Sequence, residues 1–211
     1  YGNSAGLVRG ETFAAKDLMY GLVLPSSNDV AVVFQIAVPS FVDKMNARAR
    51  ELGLRKTFFD DSSGLSQDSV TSAADLFTIL QAMDAKHPEI LAMSREKSYT
   101  AVSLNKKRVH TWTNINWPRG DKRYLGGKAG FTDESIQTMA GIWSVRMAEY
   151  GGRRIAVTLL GSRNRVRDVR AIIGYLEHDF IYGFAERADQ KGKSARAVSG
   201  AGAYRALDVL R

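Results

Sequence analysis

From about residue 97 the apolar pattern of this chain changes its period, and that change limits the folds open to it. Before that point apolar residues recur every three or four positions, the spacing of helices with one buried face. Val42, Met45, Ala49 and Leu52 form one stripe of 40–53, and Gly53 stands where such a helix would end. Ser72 and Asp75 make a capping-box-like start for 72–85, whose Leu76, Leu80 and Met83 share a face. Pro88 limits that helix and opens a short one. Two short buried helices are expected over 14–23 and 28–38, divided by Leu24-Pro25-Ser26-Ser27, because proline disfavours helical backbone at the residue before it.

After residue 97, β-branched and aromatic residues take over. Segments 97–103 and 108–114 read as strands around a turn at Leu104-Asn105-Lys106-Lys107. Segment 124–135 reads as a strand followed by a polar loop. Segments 138–150 and 153–162 flank Gly151-Gly152, a pair suited to a tight hairpin. The last helix, 163–183, turns Val166, Val169, Ile173, Leu176 and Phe180 inward. Helices, then an antiparallel sheet, then a covering helix make an α+β domain over 1–184. The small, polar stretch 185–211 reads as linker or tail.

The 211 residues are 45% apolar and 25% charged, enough to bury a core, and no apolar run approaches the ~20 residues of a membrane span. Tyr1-Gly2-Asn3-Ser4 has neither the basic start nor the apolar stretch expected of a signal peptide, which leaves room for a targeting segment lost from before it. With no cysteine there are no disulfides, no thiolate catalysis and no cysteine metal site. His87, His110 and His178 are far apart and share no ligand spacing, so no metal and no cofactor is expected. The net charge of +8 favours anionic surroundings, but its residues are scattered. Even "RNRVRDVR" (163–170) reads as a solvated helix face, so a nucleic-acid partner is not expected.

Two short motifs remain. Ser26-Ser27-Asn28 stands at the start of an apolar helix, where side-chain oxygens ordinarily cap free N–H groups. Lys128-Ala129-Gly130 lies near the end of a strand behind Gly126-Gly127, where small residues would let another chain lie close and use the strand's backbone. "LGGKAG" lacks the spacing of a phosphate-binding loop.

The segments 17–31, 41–54, 57–66 and 126–135 together resemble the low-molecular-mass penicillin-binding proteins, the serine D-alanyl-D-alanine carboxypeptidases. That family carries S-x-x-K, S-x-N and K-T-G in order. Ser26-Ser27-Asn28 matches the second motif, and Lys128-Ala129-Gly130 stands where the third belongs, with Ala129 replacing threonine. The resemblance runs from about Gly10 to about Phe184 and implies a β-lactamase/transpeptidase-like fold. It also implies a D-Ala-D-Ala stem peptide of peptidoglycan as substrate, β-lactams as ligands, and an extracytoplasmic location in the periplasm or cell-wall space.

In that chemistry a serine attacks the terminal peptide and forms an acyl-enzyme that water hydrolyses. Ser26 would relay a proton to the leaving D-alanine, Asn28 would hold the substrate amide, and Lys128 would supply positive charge. Ala129, Gly130 and Phe131 would bind substrate, with the Phe131 N–H as half of an oxyanion hole. Ala129 lacks the threonine hydroxyl that helps hold the terminal carboxylate, a loss of roughly 0.5–1.5 kcal/mol.

No S-x-x-K precedes Ser26. Ser94-x-x-Lys97 and Ser103-x-x-Lys106 have its spelling in the wrong place, and Ser162-x-Asn164 copies S-x-N at a helix start. The N-terminal strands and nucleophile helix are therefore expected on a missing segment or a separate chain. Without them the strand 153–162 would keep an unpaired edge. A peptidoglycan-binding pseudoenzyme and a β-lactamase are the alternatives.

Overall fold

The computed structural model describes residues 2–116, 118, 120–147, 151–178 and 209–210. Helices α1 (Ala15–Val23), α2 (Asn28–Ala37), α3 (Phe41–Glu51), α4 (Ala73–Lys86) and α5 (Pro88–Met93) come first. Strands β1 (Ser98–Val102) and β2 (Val109–Thr113) pair antiparallel as a small separate sheet. Strands β3 (Tyr124–Thr132), β4 (Ile136–Met147) and β5 (Gly151–Ser162) form the main antiparallel sheet, and α6 (Arg165–His178) follows. The class is α+β, as the change of period predicts.

Alternation along the strands divides the main sheet between two helical layers. Met139, Trp143, Val145 and Met147 of β4 and Ile155, Val157 and Leu159 of β5 pack against Val169, Ile173 and Leu176 of α6. On the opposite face Ile142 and Ala156 pack against Phe77 and Leu80 of α4 and Leu91 of α5. Phe180, the last residue of the expected apolar stripe, lies outside the described residues.

Local sequence accounts for several helix ends. Gly53 has φ +73°; its N–H bonds to Arg50 O at 2.9 Å and that of Leu54 to Ala49 O at 3.0 Å, the paired bonds of a Schellman stop. The Ser72 hydroxyl caps α4 by accepting from Asp75 N at 3.2 Å, but the Asp75 carboxylate turns to Lys56 N and Thr57 Oγ1, both at 2.8 Å. Ser162 and Asn164 are the cap of α6: Ser162 Oγ accepts from Asn164 N at 3.1 Å, and Asn164 Oδ1 from Arg167 N at 3.0 Å.

Four expectations need correction. Leu24 keeps helical backbone at φ −74° and ψ −59° despite Pro25, and the chain turns at Ser26 instead. Leu24 is wholly buried, so packing outweighs the local preference. Helix α2 is not buried throughout: Val32 and Ile36 are exposed. Gly151 and Gly152 belong to β5, paired with Met147 and Arg146, so they are not the turn itself; residues 148–150 lie outside the described residues. Finally, the β5 edge expected to be unpaired takes β6 (Val209–Leu210), but only against Ile155 and Arg154; among the described residues no strand pairs with the rest of that edge. That short strand comes from the segment read as tail, the rest of which lies outside the described residues.

Ile173 is 1% exposed in the layer between α6 and the sheet. Ile173→Ala is expected to lower the unfolding free energy by about 2–5 kcal/mol, measured by urea denaturation, through lost contacts and the cavity left behind.

Candidate active site

The two serines of the S-x-N motif divide two tasks. Ser27, in extended backbone, is the N-cap of α2: its hydroxyl accepts from Val30 N at 3.4 Å and from Ala5 N at 3.0 Å. Ser26 has φ +57°, a left-handed geometry that turns its side chain away from the cap toward β3. The ordinary capping role is therefore real, and Ser27 performs it.

The turn is pinned from the N-terminal side. Asn28 N donates to Asn3 O at 2.9 Å. The Asp29 carboxylate accepts from Ser4 Oγ at 2.8 Å, Ala5 N at 2.9 Å and Leu7 N at 3.3 Å, and also from the Ser27 hydroxyl. Burial opposes its charge, but these hydrogen bonds outweigh burial and hold the carboxyl below the usual range.

Lys128 Nζ reaches the turn from β3. It donates to Ser26 Oγ at 2.7 Å, to Ala129 O at 2.7 Å and to Asn116 Oδ1 at 3.2 Å. All three partners are uncharged. Burial, reinforced by the positive charge of Arg165, brings the ammonium down to about 8 from an ordinary 10.5. A lysine so placed exchanges protons near neutrality, and its neighbour across the contact is a hydroxyl.

Ala129 and Gly130 sit in less open positions than the sequence suggests. The Ala129 methyl is 7% exposed, in the core beneath α6. Its N–H donates to Asn116 Oδ1 at 3.2 Å and its carbonyl accepts from Lys128, so both backbone groups are already engaged. Gly130 O accepts from Arg165 Nη1 at 2.8 Å. The next residue whose backbone faces away from β4, by the alternation of an antiparallel pair, is Phe131, 63% exposed at the rim. The close neighbour at Gly126 is α5: a Cβ there would stand 2.5 Å from Leu91 O.

A cleft of about 390 Å³ opens beside this cluster. Ser26, Asn28, Ser62 and Lys128 mark its polar end, while Met19 and Leu22 of α1, Leu76 and Met83 of α4 and Leu91 of α5 line its apolar body. The stripe Leu76, Leu80 and Met83 predicted as a buried face thus lines the cleft wall.

The look-alike motifs have structural work. Ser94 is 2% exposed, donates to Leu91 O at 2.7 Å and accepts from Gly127 N at 2.9 Å. Ser103 is wholly buried and accepts from Arg108 N at 2.9 Å in the β1–β2 turn. Neither lies where S-x-x-K should.

Two residues of the cluster escaped the sequence reading. Arg165 belongs to the stretch read as a solvated helix face, yet it comes first in α6 and turns onto Gly130. Asn116 sits in an irregular segment after β2, where periodicity carries no signal, and only its burial among donors and acceptors reveals it.

A helical lobe, an antiparallel sheet, and a serine and lysine meeting at a cleft between them define a transpeptidase-like domain. The model of the D-alanyl-D-alanine carboxypeptidase family (peptidase S11) matches residues 2–164, and the chain belongs to that family. A D-alanyl-D-alanine carboxypeptidase of Streptomyces sp. is 29% identical over 191 residues, covering 82% of this chain and 64% of that protein. The carboxypeptidase DacB2 of Mycobacterium tuberculosis is 30% identical over 167 residues, 75% of this chain and 54% of that protein. The chain thus spans less than two thirds of the length of these curated relatives. The crystal structure of a Streptomyces DD-transpeptidase superposes with a TM-score of 0.69 at 26% identity, over 82% of this chain and 71% of that one.

The displaced lysine ties stability to pH. Because Lys128 titrates near 8 when folded and at 10.5 when free, the unfolded chain holds more protons between those values. Its contribution to stability therefore rises with pH across that window, by at most about 1.4 kcal/mol per pH unit. Urea unfolding from pH 7.5 to 10.5 is expected to show this slope in the wild type minus Lys128→Met difference.

Proposed function

We propose that this chain forms the substrate cleft of a serine-type D-alanyl-D-alanine carboxypeptidase acting on peptidoglycan stem peptides outside the cytoplasm. The nucleophile and its S-x-x-K lysine come from a segment not among these 211 residues, seated along the apolar cleft. Support for this rests chiefly on the 2.7 Å contact between Lys128 Nζ and Ser26 Oγ at the polar end of that cleft.

In the proposed reaction the nucleophilic hydroxyl attacks the carbonyl carbon of the penultimate D-alanine. Its proton passes through Ser26 to the nitrogen of the leaving D-alanine as the C–N bond breaks, and water then hydrolyses the ester. Lys128, partly neutral near pH 8, keeps that transfer close to balanced. Asn28 fixes the substrate amide, and the Phe131 N–H stabilises the developing oxyanion. Arg165, beside Gly130, supplies the charge for the terminal carboxylate that Ala129 does not help to hold. A β-lactam, whose strained amide mimics the scissile bond, acylates the same serine.

A peptidoglycan-binding pseudoenzyme is the second reading, favoured by Ala129 in the place of the motif's threonine.

The test uses the chain joined to the segment carrying S-x-x-K. Fluorescent penicillin is expected to label its serine, and no label in that protein would reject the enzymatic reading. Binding of acyl-D-Ala-D-Ala without hydrolysis would establish the pseudoenzyme, and rapid penicillin turnover a β-lactamase. Arg165→Leu is expected to raise KM for acyl-D-Ala-D-Ala by about 10- to 100-fold through loss of a charge-assisted hydrogen bond, measured by D-alanine release.

A further inference from the structure

Asn116 is 2% exposed, yet it lies on no helix or strand. All four hydrogen-bonding positions of its amide are engaged. Its Oδ1 accepts from Lys128 Nζ and from Ala129 N, both at 3.2 Å. Its Nδ2 donates to Val23 O at 2.8 Å and to Asn114 Oδ1 at 3.1 Å. The partners determine which way the amide faces, since the reverse orientation would set an NH₂ against two donors and an oxygen against acceptors.

The partners belong to different parts of the fold. Val23 is the last residue of α1, immediately before the turn that presents Ser26. Lys128 and Ala129 are in the middle of β3. Asn114, wholly buried, donates to Ser94 O and Glu96 O, both at 2.8 Å, just beyond α5, and accepts from Asn116 N at 2.8 Å. One amide pair thus joins the end of α1, the end of α5 and β3 behind the site.

We propose that Asn116 is a positioning residue: through its single amide it holds the Lys128 ammonium in register with the Ser26 turn. A buried network with every member satisfied is rigid, whereas loss of one member leaves several buried groups unpaired. Among the described residues Lys128 has no carboxylate hydrogen-bond partner to anchor it. From the turn after α1 it meets the Ser26 hydroxyl, from its own strand the Ala129 carbonyl, and from α6 the charge of Arg165, which repels it. Asn116 is the side chain that ties the ammonium to the frame rather than to the mobile-proton partner.

This inference rests on the proposed function only for its consequence in turnover, so the test reads the lysine itself. The whole chain carries lysine labelled with ¹³C at Cε, and the Lys128 resonance is assigned by its loss in Lys128→Met. Its midpoint in the wild type is expected at about 8. Asn116→Asp keeps the acceptor and adds a negative charge beside the ammonium, and is expected to raise the midpoint by about one to three pH units. Asn116→Leu removes the acceptor and is expected to lower it. A purely structural asparagine would change the melting temperature of both variants and leave the midpoint in place.

An Asn116→Asp midpoint equal to that of the wild type would overturn the proposal, as would a wild-type midpoint at the ordinary lysine value. Should Asn116→Leu fail to fold, Asn116→Asp alone decides. In the protein joined to the S-x-x-K segment, Asn116→Asp is expected to move the alkaline limb of the penicillin-labelling profile upward with the midpoint. Absence of any label would count against the enzymatic function and leave the titration result intact.

Discussion

A buried ammonium with no carboxylate partner among the described residues is the constraint around which this domain is arranged. Taking a charge out of water is costly, and the cost is tolerable only where several polar groups converge on it. At Lys128 those groups are a hydroxyl from the turn after α1, an amide from the segment after β2, and the carbonyl of the next residue in the strand. They come from three separate stretches of chain and must meet within hydrogen-bond distance. The rest of the fold meets that demand. β3 is held from one side by α5 and from the other by β4, and the sheet is packed on both faces by helices.

The incomplete compensation has a chemical consequence. Neutral partners leave burial and the Arg165 charge dominant, which brings the lysine down to about 8. A carboxylate in the place of Asn116 would bias the lysine further toward its charged form. In the proposed roles, the asparagine combines firm positioning with a weak bias toward charge, which suits a lysine that exchanges protons with Ser26.

Around Ser26, neighbouring residues with similar chemistry have separate duties. Ser27 and Asp29 serve the backbone, capping α2 and gathering the N-terminal segment of residues 3–7 against it. Freed of that duty, Ser26 adopts left-handed backbone and faces the cleft. Such strain persists only where the surroundings over-determine it, and the hydrogen bonds on either side of the turn do so. The same economy of position separates Ser94 and Ser162, which brace helix ends, from the motifs whose spelling they share.

Much of this was legible in the residues taken in order. The change of apolar period gave α+β, Gly53 marked the end of α3, and Pro88 opened α5. Ser26, Asn28 and Lys128 were found through motif order and context, and the structure places all three on one cleft. Local rules failed where packing opposed them: Leu24 stays helical before proline because it is wholly buried, and the β4–β5 strands run through Gly151-Gly152 because their pairing does. Asn116 and Arg165 left no trace in periodicity, since an asparagine in an irregular segment and an arginine in a basic helix are ordinary until their neighbours are known. Order of residues alone determined which segments fold as helix or strand and which short motifs stand at their ends, because capping, period and turn chemistry act over a few residues. Only tertiary structure decided which serine faces the lysine, what engages the backbone of Ala129 and how far the ammonium is buried, because those depend on contacts between residues up to 102 positions apart.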